Sequence, residues 1–101
     1  MRVYCGNVSR ENLDSTITIS AWVHRIRDHG GVLFVDCRDI TGVVQVVCNP
    51  ENKQSFTVAQ QLRDEAVVAI TGKVRHRPDG TDNANIVTGS YELVADSIKI
   101  L

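Results

Sequence analysis

A chain of 101 residues, 43% of them hydrophobic and 23% charged, is long enough for one globular domain and too short for two. Its 11 lysines and arginines against 12 aspartates and glutamates give a net charge of −1, which excludes nucleic-acid binding by bulk positive charge and leaves only a local basic patch. No apolar segment approaches the roughly 20 residues of a membrane helix, and the N-terminus lacks a signal peptide's apolar core, so we expect a cytoplasmic protein without a membrane partner.

The first predicted strand begins at Thr16, where apolar residues start to occupy every second position up to Val23. This period of two is typical of a half-buried strand. Strict continuation would place Arg25 and Arg27 on the buried face, where unpaired guanidinium groups are too costly. The strand therefore either bulges near Ala21–Val23 or extends beyond the core.

The rest of the chain continues this β-rich pattern with one interruption. After Gly30-Gly31, two short alternating segments predict an antiparallel meander, and Asn49-Pro50 then suits the start of a helix. A glycine inside the fourth strand, Gly72, predicts a bulge or sharp bend. The predicted elements are strands over 32–38 and 43–48, a helix over roughly 50–64, and strands over 67–77 and 91–100.

The order strand-strand-strand-helix-strand-strand is typical of the OB-fold. We therefore predict an all-β fold with one helix, a five-stranded Greek-key barrel in a single domain over residues 1–101. The helix between strands three and four would cap an open end of the barrel. An SH3-like barrel would lack this long helix.

Catalytic and metal-binding motifs are missing from the sequence. The cysteines form no C-x-x-C pair, the histidines have no chelating spacing within one element, and no nucleotide loop or H-E-x-x-H motif is present. We therefore expect no metal, no cofactor and no catalysis from these residues alone. The cysteines and histidines concerned are Cys5, Cys37, Cys48, His24, His29 and His76.

A candidate binding surface lies on the outward face of the second and third strands. Phe34 would stand beside Gln45 there, and an exposed ring next to an amide suits stacking and hydrogen bonding of an unpaired base. The alternative is that the helix or a loop buries Phe34. Four arginines would flank this surface: Arg25, Arg27, Arg75 and Arg77.

Five short motifs stand out along the chain: Trp22-Val23-His24-Arg25, Arg27-Asp28-His29-Gly30-Gly31, Phe34-Val35-Asp36, Gly42-Val43-Val44-Gln45 and Thr71-Gly72-Lys73-Val74-Arg75. Together they strongly resemble the N-terminal anticodon-binding domain of bacterial aspartyl-tRNA synthetases, which belong to class IIb. The resemblance covers essentially the whole chain and favours the aspartate branch over the asparagine and lysine branches.

The resemblance implies a role for each of five side chains in anticodon binding. Phe34 would stack on the central anticodon base, and Gln45 would hydrogen-bond that base. Arg27 and Arg77 would contact the third base and the nearby backbone, and Glu92 would recognise a guanine or queuosine at the first position. Backbone contacts are also implied for the arginines at positions 25 and 75.

Two further positions, His29 and Gly80, resemble the non-discriminating bacterial type, which aspartylates both tRNA-Asp and tRNA-Asn. The resemblance also implies that ATP and Mg²⁺ serve a class II catalytic domain outside these 101 residues, and that the parent ligase is a homodimer. Two alternatives stay open, a generic single-stranded nucleic-acid binder and a protein-interaction barrel.

Overall fold

The computed structural model describes residues 1–101 and contains five strands and one α-helix. Two short 3-10 turns, Cys5–Asn7 and Arg10–Asn12, precede the first strand. The elements are β1 (Thr16–His29), β2 (Val32–Asp39), β3 (Gly42–Cys48), α1 (Lys53–Ala59), β4 (Val67–His76) and β5 (Tyr91–Ile100).

The strands form a closed barrel in the order β1-β2-β3-β5-β4. All neighbouring strands are antiparallel except β3 and β5, which run parallel. This arrangement, with the helix between the third and fourth strands, is the predicted OB-fold and confirms it. No helix is long and apolar enough to cross a membrane.

The interior of the barrel is filled by alternating aliphatic side chains from every strand. Ile17, Val35, Val44, Ile70 and Leu93 are completely buried. The three cysteines are free thiols in this core. Burial raises the pKa of the Cys48 thiol from 9.0 to about 12, so the thiol stays protonated at neutral pH.

A bulge in β1 determines which arginines face solvent. Val23 pairs with Cys37 of β2 but Arg25 pairs with Asp36, so His24 is an extra residue in the ladder. The insertion reverses the alternation, which places Ile26 against the core and the neighbouring arginines outside. The predicted bulge is confirmed, and it lies just after the expected 21–23 segment.

The helix is shorter than predicted and begins later. Its N-cap is Asn52, whose side chain accepts a hydrogen bond from the Ser55 amide at 3.1 Å. Asn49 and Pro50 form a preceding turn, in which the Asn49 carbonyl accepts from the Asn52 amide at 3.0 Å. The helix lies between the third and fourth strands as predicted, but the predicted bounds of 50–64 were wrong, since it ends at Ala59. It begins late because the cap that meets the barrel is Asn52, whose Nδ2 also donates to the Asp96 carbonyl.

The predicted distortion at Gly72 is confirmed. Thr71 pairs with Ser97 and Gly72 with Ala95, so the register between β4 and β5 shifts by one residue. A Cβ atom on Gly72 would lie 2.2 Å from the Val94 carbonyl oxygen. Only glycine permits this close approach of the two strands.

Candidate nucleic-acid interface

One row of register partners crosses all five strands on the outside of the barrel. Arg25 pairs with Asp36, Asp36 with Gln45, Gln45 with Glu92, and Glu92 with Arg75. Each of these residues alternates with core residues on its own strand, so the row points outward. An entire row of polar side chains across a small barrel is unnecessary for packing and marks this face as a candidate site.

Hydrogen bonds connect the side chains of the row into one hydrogen-bonded chain. On β1 the donor is Arg27 and not Arg25, which is the register partner of Asp36. Arg27 Nη2 donates to Asp36 Oδ1 at 3.2 Å and to Gln45 Oε1 at 2.9 Å. Gln45 Nε2 donates to Glu92 Oε1 at 2.9 Å, and Arg75 Nε donates to Glu92 Oε2 at 2.6 Å. This hydrogen-bonded chain is buried in its middle, where Glu92 is 1% exposed. At its two ends, the side chains of Arg27 and Arg75 are accessible to solvent.

Two cavities lie beside this chain, and the first contains the predicted aromatic side chain. We call it the central cavity; its volume is about 220 Å³. Phe34 is half-buried there rather than covered by the helix. The Arg27 guanidinium carbon lies 5.7 Å from the Phe34 ring centroid, and the His29 ring meets Phe34 edge-on at 6.5 Å. The lining residues are Arg27, His29, Phe34, Gln45, Arg77 and Thr81.

The second cavity, which we call the bulge cavity, lies next to the β1 bulge and has a volume of about 240 Å³. Both cavities are below the roughly 300–1,000 Å³ of sites for drug-sized ligands, so each suits a group the size of a nucleobase. Arg27, Gln45 and Arg77 line both cavities. The other lining residues of the bulge cavity are His24, Arg25, Asp36, Val43, Asn83 and Ile86.

Arg77 ties the loop between β4 and β5 to the barrel. The fourth strand was predicted to include Arg77, but β4 ends one residue earlier, so Arg77 is the first residue after the strand. It is only 9% exposed. Its Nε and Nη1 groups donate to the carbonyls of Tyr91 and Thr81, each at 3.4 Å. The guanidinium therefore holds the loop beside both cavities.

Not every candidate residue reaches a cavity. Glu92 and Arg75 lie behind Gln45 and line neither one, and Gly80 is exposed in the loop with φ +82°. Gly80 does precede Thr81, which lines the central cavity. His29 lines that cavity directly, and Arg25 lines the bulge cavity.

Several lining residues were not identified from the sequence. His24 reaches the bulge cavity because it is the bulged residue, and the loop residues Asn83 and Ile86 lie near it through the fold of the 77–90 segment. The sequence feature that could have identified His24 was a bulge between the core residue Val23 and the first arginine, Arg25. Nowhere in the chain do three or more metal-ligating side chains converge.

The outer face of an OB barrel with a stacking ring, an amide and guanidinium groups defines a nucleic-acid-binding class of domain. Comparison with known proteins agrees with this class. Residues 17–101 match the family described as OB-fold nucleic acid binding domain, which is named for the tRNA anticodon, and the chain belongs to that family.

Individual relatives indicate which members of this class the chain is similar to. The chain is 50% identical over 98 residues to an aspartate–tRNA(Asp/Asn) ligase of Endomicrobium trichonymphae, covering 97% of this chain and 17% of that protein. An asparaginyl-tRNA synthetase from Pyrococcus horikoshii, solved with asparaginyl-adenylate, matches with a TM-score of 0.81 and 25% identity, covering 100% of this chain and 22% of that chain. These matches confirm the resemblance to the anticodon-binding domains of the aspartyl-tRNA synthetase group.

A third match concerns the fold alone. An OBody bound to hen egg-white lysozyme has a TM-score of 0.82 and 24% identity, covering 98% of this chain and 91% of that chain. In contrast, the chain spans only about a sixth of the ligase that it matches at 50% identity.

Proposed function

We propose that this chain binds the anticodon loop of tRNA-Asp as the N-terminal, non-catalytic domain of an aspartate–tRNA ligase. The observation that carries the proposal is the central cavity, where Phe34, Gln45 and Arg27 offer a ring, an amide and a guanidinium within one nucleobase-sized space. These are the groups that stack on an unpaired base and bond its edge. The 50% identity to an aspartate–tRNA(Asp/Asn) ligase supports this choice of RNA.

Each candidate side chain has a proposed role at the anticodon. Phe34 stacks on the central base while Gln45 bonds its edge. Arg27 and Arg77 contact the third base and nearby backbone, supported by their position in the lining of both cavities. Glu92 contributes to the recognition of the anticodon as a carboxylate in the same hydrogen-bonded chain.

Phosphate contacts are proposed for the two remaining arginines. Arg25 is exposed at the bulge cavity, and no salt bridge joins it to an acidic side chain. Arg75 pairs with Glu92, and its side chain remains 47% exposed. Both side chains therefore reach solvent at the edge of the proposed site.

We extend the proposal to tRNA-Asn, whose anticodon differs from that of tRNA-Asp only in the third base. His29 lines the central cavity, and Gly80 precedes the loop residue Thr81 that lines the same cavity. Gly80 carries no side chain, and it and the imidazole ring of His29 leave room for either pyrimidine. The relative named as a ligase for both tRNAs supports this extension.

The wider assembly belongs to the same proposal. The parent ligase is a cytoplasmic homodimer whose catalytic domain, outside these 101 residues, uses ATP and Mg²⁺ to activate aspartate. The present domain, over 1–101, supplies anticodon binding and needs no cofactor of its own.

A titration with RNA hairpins tests the proposal against its alternatives. We expect saturable binding of a hairpin with the anticodon GUC, comparable binding with GUU, and much weaker binding when the three bases are scrambled. Equal binding of the scrambled hairpin, with a steep salt dependence, would instead indicate a generic single-strand binder. No binding of any hairpin would favour a protein-interaction barrel, a use that the lysozyme-bound OBody shows for its own fold.

A further inference from the structure

A second outward row crosses β1, β2 and β3 beside the polar row, on the side of the β1 bulge. Trp22 pairs with Arg38, and Arg38 pairs with Val43. Arg38 lies two residues beyond Asp36 on β2, so both side chains point outward. Val43 lines the bulge cavity. The Trp22–Arg38 pair therefore extends the surface of that cavity along the strands.

Both side chains of this pair are accessible to a ligand. Trp22 is 37% exposed, Arg38 is exposed, and Arg38 forms no salt bridge. The guanidinium offers five N–H donors and the indole offers one, and neither group has an acceptor. A pair that can only donate, with a positive charge on one member, suits an anion such as a phosphate.

The arginines of the outward face differ in whether they are free to bind an anion. Arg27 and Arg75 donate to carboxylates, and Arg77 is only 9% exposed. Arg25 and Arg38 are exposed, form no salt bridge, and lie at the end of the face beside the bulge. The opposite end, at the β1–β2 turn and the 77–90 loop, has three exposed carboxylates, those of Asp28, Asp79 and Asp82. A phosphate backbone is therefore attracted to the bulge end and repelled from the other.

The spacing along β2 matches the path of an RNA hairpin away from the central cavity. Phe34 and Arg38 are four residues apart on this strand, roughly 13 Å at 3.3 Å per residue. In an RNA hairpin the paired stem begins only a few nucleotides from the middle base of the loop. The exposed Arg25 and the bulge cavity lie between the two positions. Arg38 is therefore within reach of the backbone where the stem begins.

We propose that Trp22 and Arg38 form a second RNA contact, which binds the phosphate backbone of the stem that carries the anticodon loop. This inference rests on the proposed function. The contact orients the hairpin and recognises no base, because phosphates carry no sequence information. Its limit is on the β4 side of Trp22, where the Glu65 amide donates to the Val23 carbonyl and the carboxylates of Asp64 and Glu65 are exposed. The backbone therefore passes on the Arg38 side of the indole.

The test compares the wild-type chain with Arg38→Ala on two labelled RNAs, a GUC hairpin and an unpaired RNA with the same loop sequence. One phosphate contact on a duplex contributes about 0.9 to the slope of log affinity against log salt, or about eightfold in affinity at 0.1 M salt. The variant should lose roughly this much slope and affinity for the hairpin. It should bind the unpaired RNA as the wild type does and keep the wild-type preference for GUC over a scrambled anticodon.

Three companion measurements make the result specific. Arg10→Ala removes the same charge from an exposed 3-10 turn and should leave the binding of both RNAs unchanged. Arg38→Lys keeps the charge and should keep the salt slope. Trp22 is the single tryptophan, so its emission reports on the contact directly. The emission should change on saturation with the hairpin and stay constant with the unpaired RNA.

The possible outcomes separate this inference from the function on which it rests. A wild-type salt slope in Arg38→Ala overturns the inference. An equal loss of affinity for both RNAs also overturns it, as does the same change in Trp22 emission with both, because each would place the contact at the loop. The proposed function fails instead if the wild-type chain binds GUC and scrambled hairpins equally, and a slope change confined to hairpins would then still identify the stem contact. If no hairpin binds, both fail.

Discussion

Replacing Phe34 by alanine tests the stacking role of the central cavity. The ring is half-buried between the Arg27 guanidinium, 5.7 Å from its centroid, and the edge of His29. Loss of one stacked base costs about 1–3 kcal/mol, so the dissociation constant of a GUC hairpin should rise about 5- to 160-fold.

The same change should cost less stability than a typical core substitution. A fully buried Phe→Ala change costs about 3–5 kcal/mol, and the partial exposure of Phe34 reduces this to about 1–2 kcal/mol. A domain of this size has about 5–15 kcal/mol of stability, so the variant should remain folded. Fluorescence of Trp22, the single tryptophan, can report its thermal unfolding.

Phe34→Leu is the matched control, because leucine keeps apolar bulk and removes the aromatic face. Stacking predicts that this variant binds the hairpin as weakly as Phe34→Ala while its stability stays nearer to the wild type. Both are measured by fluorescence anisotropy with a labelled GUC hairpin at one fixed salt concentration. Wild-type affinity in the leucine variant would refute stacking, and wild-type affinity in the alanine variant would remove Phe34 from the site altogether.

Three further predictions address the barrel and its charges. Gly72→Ala should lower the free energy of unfolding in urea by about 1–3 kcal/mol, because the new Cβ would meet the Val94 carbonyl oxygen at 2.2 Å; an unchanged midpoint would contradict this close approach. Burial raises the pKa of Cys48 to about 12, so between pH 9 and 12 the unfolded chain loses a proton that the folded chain keeps, and stability should fall as pH rises. The fall should be smaller in Cys48→Ala, as measured by urea titrations across that range. Arg25→Ala should reduce the slope of log affinity against log salt by about 0.7 for a single-stranded loop, and an identical slope would exclude a phosphate contact.

The five strands could be predicted because burial imposes a period of two on the sequence, and the register shift in β1 could be predicted because arginines cannot occupy the core. The position of that shift depends on pairing with β2, which places His24 as the extra residue and is not local information. The helix start was mistaken for a similar reason. Asn49 and Asn52 are both capable caps, and the contact of Asn52 with Asp96 on β5 distinguishes them.

The site residues also divide into those that local sequence predicts and those that only pairing across the barrel determines. Phe34 and Gln45 could be chosen from alternation and from the family resemblance, since each is an outward residue of an adjacent strand. Their neighbours could not, because Gln45 lies beside Glu92 only through the parallel pairing of β3 with β5, which are 47 residues apart at that point. Hydrogen-bond partners across a barrel depend on its closure.

The arginines that suggest a basic patch are largely engaged within the domain. Arg27 is paired with Asp36 and Arg75 with Glu92, while Arg77 donates to backbone carbonyls. Because each ion pair is neutral as a unit, these guanidinium groups give the surface hydrogen-bond donors in fixed positions but little positive electrostatic potential. This agrees with the net charge of −1. In the proposed function, affinity for RNA should therefore come mainly from stacking and from hydrogen bonds to base edges. Such a domain should distinguish anticodons well and bind a bare phosphate backbone weakly.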